Sequence, residues 1–276
     1  MKNHKEEIEH PTSSVAENSY DEYLHLDSIL AAQCVHTSAH DEMLFIVQHQ
    51  TTELWMKLVI HELGVVREDI AANRLEPAFK TLSRVARIFD QLNGAWDVLR
   101  TMTPSDYTEF RRALGTSSGF QSFQYRLIEY MLGNRVIEFV DNYKETPWHY
   151  DALQEELARP SIYDLAVCVL YRIVDGFDTP APPYQLRQPR KLDPAIQNHW
   201  RIVYENPYKY WSLYELAEKL VDLEDYFRRW RFNHVTTVER VIGNKRGTGG
   251  TIGVPLLRQR LDVILFPELW RVRGDL

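Results

Sequence analysis

The 276-residue sequence contains only two cysteines, Cys34 and Cys168, which form neither a CxxC pair nor a zinc-binding spacing. This scarcity argues against a disulfide framework and is typical of the reducing cytoplasm, which is the location we predict. No run of about eighteen apolar residues occurs, so no membrane-spanning helix is expected. Residues 1–19 lack the apolar centre of a signal peptide and are predicted to form a disordered tail.

Positive charge is also in deficit. The chain has 32 Lys and Arg against 39 Asp and Glu, which gives a net charge of −7. A nucleic-acid partner bound through its phosphates is therefore not expected. Hydrophobic residues make up 44% and charged residues 26%, as in ordinary globular proteins that bury a core.

The sequence has no convincing alternating strand pattern and no internal repeat. Apolar residues instead recur every three or four positions over residues 79–99 and 208–242, and further helices are predicted at 120–132 and 254–266. Five prolines make residues 178–194 an extended connection. The predicted fold is all-α, a single-domain bundle of long packed helices over residues 20–276.

Residues 41–55 combine an apolar helical pattern with a polar centre. We expect a buried helix whose apolar positions are Leu44, Val47, Leu54, Leu58 and Val59. Phe45 and His49 are four residues apart and share one helix face. An aromatic wall beside one imidazole suits a flat aromatic ligand with a single N–H. A core histidine with a satisfied hydrogen bond is the alternative.

His234 is the second notable imidazole. It follows Trp230 and Phe232 on the apolar 208–242 helix. An imidazole in such a place is how proteins present an axial ligand to haem iron. A packed core histidine is the alternative.

Two further elements carry polar groups suited to an amino acid. Thr103, Pro104 and Asp106 have the pattern of a capping box that begins a short helix, in which Tyr107 and Arg111 are four residues apart. An arginine fork beside a phenol suits a carboxylate, although a surface salt bridge is the alternative. The glycine-rich loop 243–253 carries Thr248, and it lacks the ending of a phosphate-binding P-loop.

Four segments, in this order, resemble the tryptophan 2,3-dioxygenase family: residues 41–55, 103–121, 204–234 and 241–250. The resemblance spans about residues 20–270 and is poor over 135–195. It implies haem b as cofactor and the cleavage of the indole C2–C3 bond of L-tryptophan by O₂ to N-formylkynurenine. His234 would ligate the iron, and neutral His49 would accept the indole N–H on the opposite side.

The resemblance also implies the remaining site residues. Trp96 would lie against the haem, and for both Trp96 and Leu114 a plain core role is the alternative. The residues expected to contact the substrate are Phe45, Ile46, Val47, Gln48, His49, Tyr107, Arg111, Leu114, Ser118, Gly119 and Thr248.

Near the N-terminus, Tyr20, Tyr23 and Leu24 match a family segment that completes a neighbouring subunit's pocket. Asp21 and Glu22 stand where small residues are expected. The resemblance thus implies a homotetramer built as a dimer of dimers. The alternatives are a related haem enzyme that uses another indole or inserts one oxygen atom, a non-catalytic haem sensor, and a purely structural helical bundle.

Overall fold

The computed structural model describes residues 19–176, 180–243, 245–250 and 252–276. No strand occurs within these ranges, so the all-α prediction is confirmed. The helices are α1 Tyr20–Leu24, α2 Leu26–Leu30, α3 Asp41–Ala71, α4 Leu75–Leu99, α5 Pro104–Phe110, α6 Phe123–Met131, α7 Pro147–Leu157, α8 Ile162–Val174, α9 Pro194–Glu205, α10 Trp211–Val241, α11 Val254–Gln259 and α12 Pro267–Val272. None of the helices in these ranges is long and apolar enough to cross a membrane.

The described residues divide into two units, one that ends at Val35 and one that begins at His36. In the first unit, Ser19 caps α1 and forms a reciprocal capping box with Glu22. The acidic residue at 22 therefore has a local structural role. The predicted disordered tail, residues 1–19, lies outside the described residues except for Ser19.

Three long helices organise the second unit. Helix α4 packs against both α3 and α10, and its predicted apolar stripe from Phe79 to Leu99 is buried throughout. Helices α6 and α8 cover α3, and α9 packs on α12. The core therefore follows α4, and the inward faces of α3 and α10 meet it from either side.

The predicted apolar face of α3 is wrong in part. The side chains of Val47 and Leu54 are 43% and 54% exposed. At 100° per residue they lie about half a turn from the inward face, which carries Phe45, Met56 and Leu63. Of the other predicted positions, Val59 is buried and Leu44 and Leu58 pack against the core, so periodicity mixed residues from two apolar faces of α3.

Other boundaries differ from the sequence prediction. The last predicted helix ends at Gln259, and α12 begins at Pro267, whose fixed φ suits a first helical position. Residues 137–174, which had no predicted structure, form a 3₁₀ helix, α7 and α8. Of the extended connection predicted over residues 178–194, residues 180–193 contain no helix, Pro194 begins α9, and residues 178–179 lie outside the described residues.

Candidate haem and substrate site

A cavity of about 890 Å³ opens between α3, α4, α10 and two loops. Most of the residues expected at the site line it, from elements far apart in sequence. They are Phe45, His49, Trp96, Tyr107, Leu114, Ser118, Gly119, His234 and Thr248. The volume is within the range of small-molecule and cofactor sites, and the walls are largely aromatic and aliphatic.

His49 lies on the inward face of α3, where its Nδ1 is 2.7 Å from the carbonyl oxygen of Phe45. A carbonyl can only accept, so Nδ1 carries the proton and Nε2 of the neutral ring is an acceptor. Burial lowers the pKa of His49, opposed by the Phe45 hydrogen bond and the Glu53 carboxylate. The neutral form therefore dominates at neutral pH.

The ring of Phe45 extends this side of the cavity. Its centroid is 4.1 Å from that of His49 and 5.5 Å from that of Phe110. Tyr107 packs beside them, 6.3 Å from Phe45. An aromatic face next to one hydrogen-bond acceptor can hold a flat ring that carries one N–H donor.

His234 faces the same cavity from α10. Its ring stacks on Trp96 with centroids 5.0 Å apart and planes 14° from parallel. Desolvation, and secondly His49, lowers the pKa of His234 to about 4, so its imidazole is neutral at pH 7. A neutral imidazole is the form that ligates a metal.

Unused hydrogen-bonding capacity surrounds His234. Among the described residues, neither of its ring nitrogens has a hydrogen-bond partner, and the buried indole N–H of Trp96 has none either. Buried polar groups are usually paired, so the Trp96 N–H fits a bound group that supplies a partner, and the unbonded nitrogens of His234 are available to the same group. In the described ranges, no group of three or more His, Cys, Asp or Glu side chains is placed to hold a metal ion. One unbonded, neutral histidine in a large, mostly apolar cavity therefore fits a metal carried by a porphyrin.

The amino-acid clamp is only partly assembled. Helix α5 ends at Phe110, so Arg111 begins a 3₁₀ turn instead of continuing the helix. Nη2 of Arg111 donates to the Arg246 carbonyl at 2.7 Å, while its buried Nε has no partner among the described residues. Burial raises the pKa of Tyr107, and the charge of Arg111 opposes the rise. Tyr107, Arg111 and the loop after α10 are thus brought together.

The glycine-rich loop lies directly on the 117–119 turn. The hydroxyl of Thr248 donates to the Ser117 carbonyl. A Cβ on Gly249 would lie 2.8 Å from Cβ of Ser118, closer than side chains tolerate. Glycine is required because the backbone approaches Ser118, which lines the cavity.

Seven of the expected residues do not line this cavity. Ile46 and Val47 line neither it nor the small adjoining cavity, which Gln48 faces. Arg111 is outside the lining and reaches the site through Arg246. Tyr20, Tyr23 and Leu24 belong to the first unit, and their role in a neighbour's pocket stays a prediction.

Glu53 is a cavity residue that the sequence analysis missed. It follows His49 by four residues on the same face, and that spacing could have indicated it. Nε2 of Gln124 donates to the Glu53 carboxylate at 2.8 Å and to its carbonyl at 2.7 Å. Trp148 and His149 of α7 also line the cavity, and no local sequence pattern predicts that they do.

These features define a class: an all-α protein in which a buried, neutral imidazole, His234, suits an axial haem ligand and shares its cavity with a second neutral imidazole, His49. The sequence model of the tryptophan 2,3-dioxygenase family matches residues 4–162 and 191–276. A tryptophan 2,3-dioxygenase of Ruegeria pomeroyi is 62% identical over 259 residues, covering 94% of this chain and 93% of the relative.

Relatives from other genera agree. A tryptophan 2,3-dioxygenase of Bradyrhizobium diazoefficiens is 59% identical, and the match covers 92% of this chain and 91% of the relative. One from Cupriavidus necator is 55% identical, and the match covers 94% of this chain and 88% of the relative. The chain belongs to the tryptophan 2,3-dioxygenase family. The unmatched stretch, 163–190, is shorter than the 135–195 expected to be variable, and covers most of α8 and the connection after it.

Proposed function

We propose that this chain is a haem-dependent dioxygenase that converts L-tryptophan and O₂ to N-formylkynurenine. Family membership supports the reaction class. The observation that carries the proposal is the pairing of His49 and His234 across one aromatic-walled cavity. One imidazole is free to ligate a metal, and the other presents an acceptor to an indole N–H.

His234 would hold haem b by ligating its iron, with Trp96 stacked beside the imidazole. The haem, when bound, supplies the oxygen chemistry. In the reaction, one atom of O₂ is added to C2 and the other to C3 of the indole, and the C2–C3 bond is broken. The protein contributes binding, orientation and a cavity with mostly apolar walls.

Phe45 and His49 would place the indole. The Phe45 ring offers a face for stacking, and Nε2 of His49 accepts the indole N–H. This hydrogen bond fixes the rotation of the ring in its plane, so that C2 and C3 face the reacting side. Holding reactants in one orientation is a major source of rate enhancement.

The other end of tryptophan requires charged and polar partners. The unpartnered Nε of Arg111 and the Tyr107 hydroxyl would bind the carboxylate, and Thr248 would contact the ammonium and carboxylate. A guanidinium is suited to a carboxylate because its donors lie in one plane. This set favours an α-amino acid over a simple indole.

We extend the proposal to assembly and location. The outer face of α3 exposes Met43, Val47 and Leu54, an apolar surface of the kind that subunit contacts cover. Tyr20 and Tyr23 are each 74% exposed on α1. They support a homotetramer, a dimer of dimers, in which Tyr20, Tyr23 and Leu24 complete a neighbour's pocket. Both cysteines are free, in keeping with a cytoplasmic location.

A purified preparation reconstituted with haem tests the function. We expect a histidine-ligated haem spectrum, consumption of one O₂ per tryptophan, and two ¹⁸O atoms in the product from ¹⁸O₂. One labelled atom would indicate a monooxygenase. Stable oxygen binding without turnover would indicate a sensor, and no haem absorption would overturn the proposal.

A further inference from the structure

The turn of α10 that carries His234 is tied to α4 by one arginine. The guanidinium of Arg100 donates from Nε to the Thr237 hydroxyl at 2.8 Å. Its Nη2 donates to the Thr236 hydroxyl at 2.7 Å and to Asn233 at 3.1 Å (Oδ1) and 3.3 Å (carbonyl). Asn233 precedes His234 by one residue, and Thr236 and Thr237 follow it by two and three. The guanidinium of Arg100 therefore binds residues before and after His234 in the same turn of α10.

A second contact reinforces the same face. Nδ2 of Asn233 donates to Oδ1 of Asn93 at 2.9 Å, and Nδ2 of Asn93 donates to the Tyr226 carbonyl at 3.1 Å. Asn93, Trp96 and Arg100 are spaced by three and four residues and share one face of α4. Trp96, which stacks on His234, therefore lies between two polar contacts.

The ring of His234 lacks the usual means of orientation. A metal-ligating histidine normally donates its second ring N–H to an acceptor, which fixes the ring plane. Among the described residues, His234 has no such acceptor. Its orientation must follow from the position of its helical turn and from the Trp96 ring.

Arg100 is itself well held. Its carbonyl accepts from Nε of Arg240 at 3.1 Å, and its Nη1 contacts the Asp97 carboxylate at 3.2 Å. As the residue that follows α4, it also places a cation at a helix C-terminus, where positive charge is favoured. Because Arg100 is itself held by Asp97 and Arg240, its hydrogen bonds can hold α10 in a fixed position.

We propose that Arg100 is a positioning residue that fixes the rotation of α10 about its axis, and with it the plane of the His234 imidazole against Trp96. The inference rests on the proposed function, because the ring plane matters only when His234 ligates iron. Loss of the fork would let the turn rotate, and the imidazole–iron bond would become weaker and more heterogeneous.

The positioning role of Arg100 can be tested with the Arg100→Met variant of the full-length, haem-loaded protein. Methionine keeps an aliphatic side chain and removes every hydrogen-bond donor of the guanidinium. Arg87→Met is the matched control: Arg87 also joins α4 to α10, through one exposed bond of 3.2 Å to the Tyr226 hydroxyl. The readouts are the iron–histidine stretching band of the ferrous protein and the haem dissociation rate. We expect Arg100→Met to shift or broaden the band and to speed haem loss by about 10-fold or more. Arg87→Met should change neither.

Two further variants keep the test decisive if Arg100→Met folds poorly. Thr237→Val is nearly isosteric and removes one acceptor, so it should shift the band in the same direction by less. Arg100→Lys should restore part of the native band. An unchanged band and dissociation rate in Arg100→Met or Thr237→Val, even with a lower melting temperature, would overturn the proposal. Absence of the band from unaltered protein would instead refute the proposed function.

Discussion

Substitution of Arg111 by leucine should remove the cation that lies beside the buried Tyr107 hydroxyl. The substrate carboxylate would then be desolvated without its charged partner. Truncation of one member of such a buried pair costs about 2–5 kcal/mol, which corresponds to a loss of about 30-fold to several thousand-fold in binding. The lower half of that range is expected, because the Arg111 side chain is only partly buried.

Steady-state kinetics with tryptophan and tryptamine measure this effect. Tryptamine lacks the carboxylate, so it should be a poor substrate of the unaltered enzyme and should lose little further in Arg111→Leu. Arg112→Leu is the control, since Arg112 is an adjacent exposed arginine. Haem content should be unchanged in both variants.

Arg111 has a second role that the assay must separate. Its Nη2 bonds the Arg246 carbonyl at 2.7 Å and so holds the glycine-rich loop. Damage through the loop would affect both substrates, whereas loss of the carboxylate contact affects tryptophan alone. Equal losses toward tryptophan and tryptamine would refute the carboxylate assignment and leave only the support of the loop.

Four other predictions concern the two imidazoles and the N-terminal segment. His234→Ala should abolish stable haem binding. A normal histidine-ligated spectrum in that variant would refute the assignment of His234 as the iron ligand. The His49→Ala variant should still bind haem, and its turnover should be reduced but not abolished. Because burial lowers the pKa of His49, kcat/KM should be flat above about pH 6.5 and fall only at lower pH as Nε2 becomes protonated; a rise on acidification would contradict this. Deletion of residues 1–26 should weaken tryptophan binding with haem binding preserved, and unchanged affinity by titration would exclude a shared pocket.

The sequence predicted what local patterns specify. The buried stripe of α4 repeats every three or four residues, and its helix could be read directly. The capping box of Thr103 and Asp106 formed as predicted, since both partners lie within one helical turn. The site residues came from the family resemblance, and most of them do line one cavity.

Features set by tertiary packing were not predictable in the same way. Helix α3 has two apolar faces, and the packing of α4, α6 and α8 against it decides which one is inside. The bond from Arg111 to Arg246 joins residues 135 positions apart, so no local pattern encodes it. Ser161 and Asp164 do form a capping box at α8, a local signal that was overlooked.

The glycine-rich loop offers a final prediction, because its position depends on the absence of one Cβ. At Gly249 a Cβ would lie 2.8 Å from Cβ and 3.2 Å from Oγ of Ser118, so Gly249→Ala must push the loop away from the 117–119 turn. Thr248 would move with it and lose its bond to Ser117.

We therefore expect Gly249→Ala to raise KM for tryptophan several-fold with haem affinity unchanged, since His234 lies on α10 and not on the loop. The matched change is Gly94→Ala in α4, where a Cβ meets nothing within 4 Å. That substitution should stabilise the helix by roughly 0.5–1 kcal/mol and leave kinetics unaltered. Thermal unfolding and tryptophan titration of both variants separate the two effects. Native tryptophan affinity in Gly249→Ala would show that the close approach to Ser118 has no part in substrate binding.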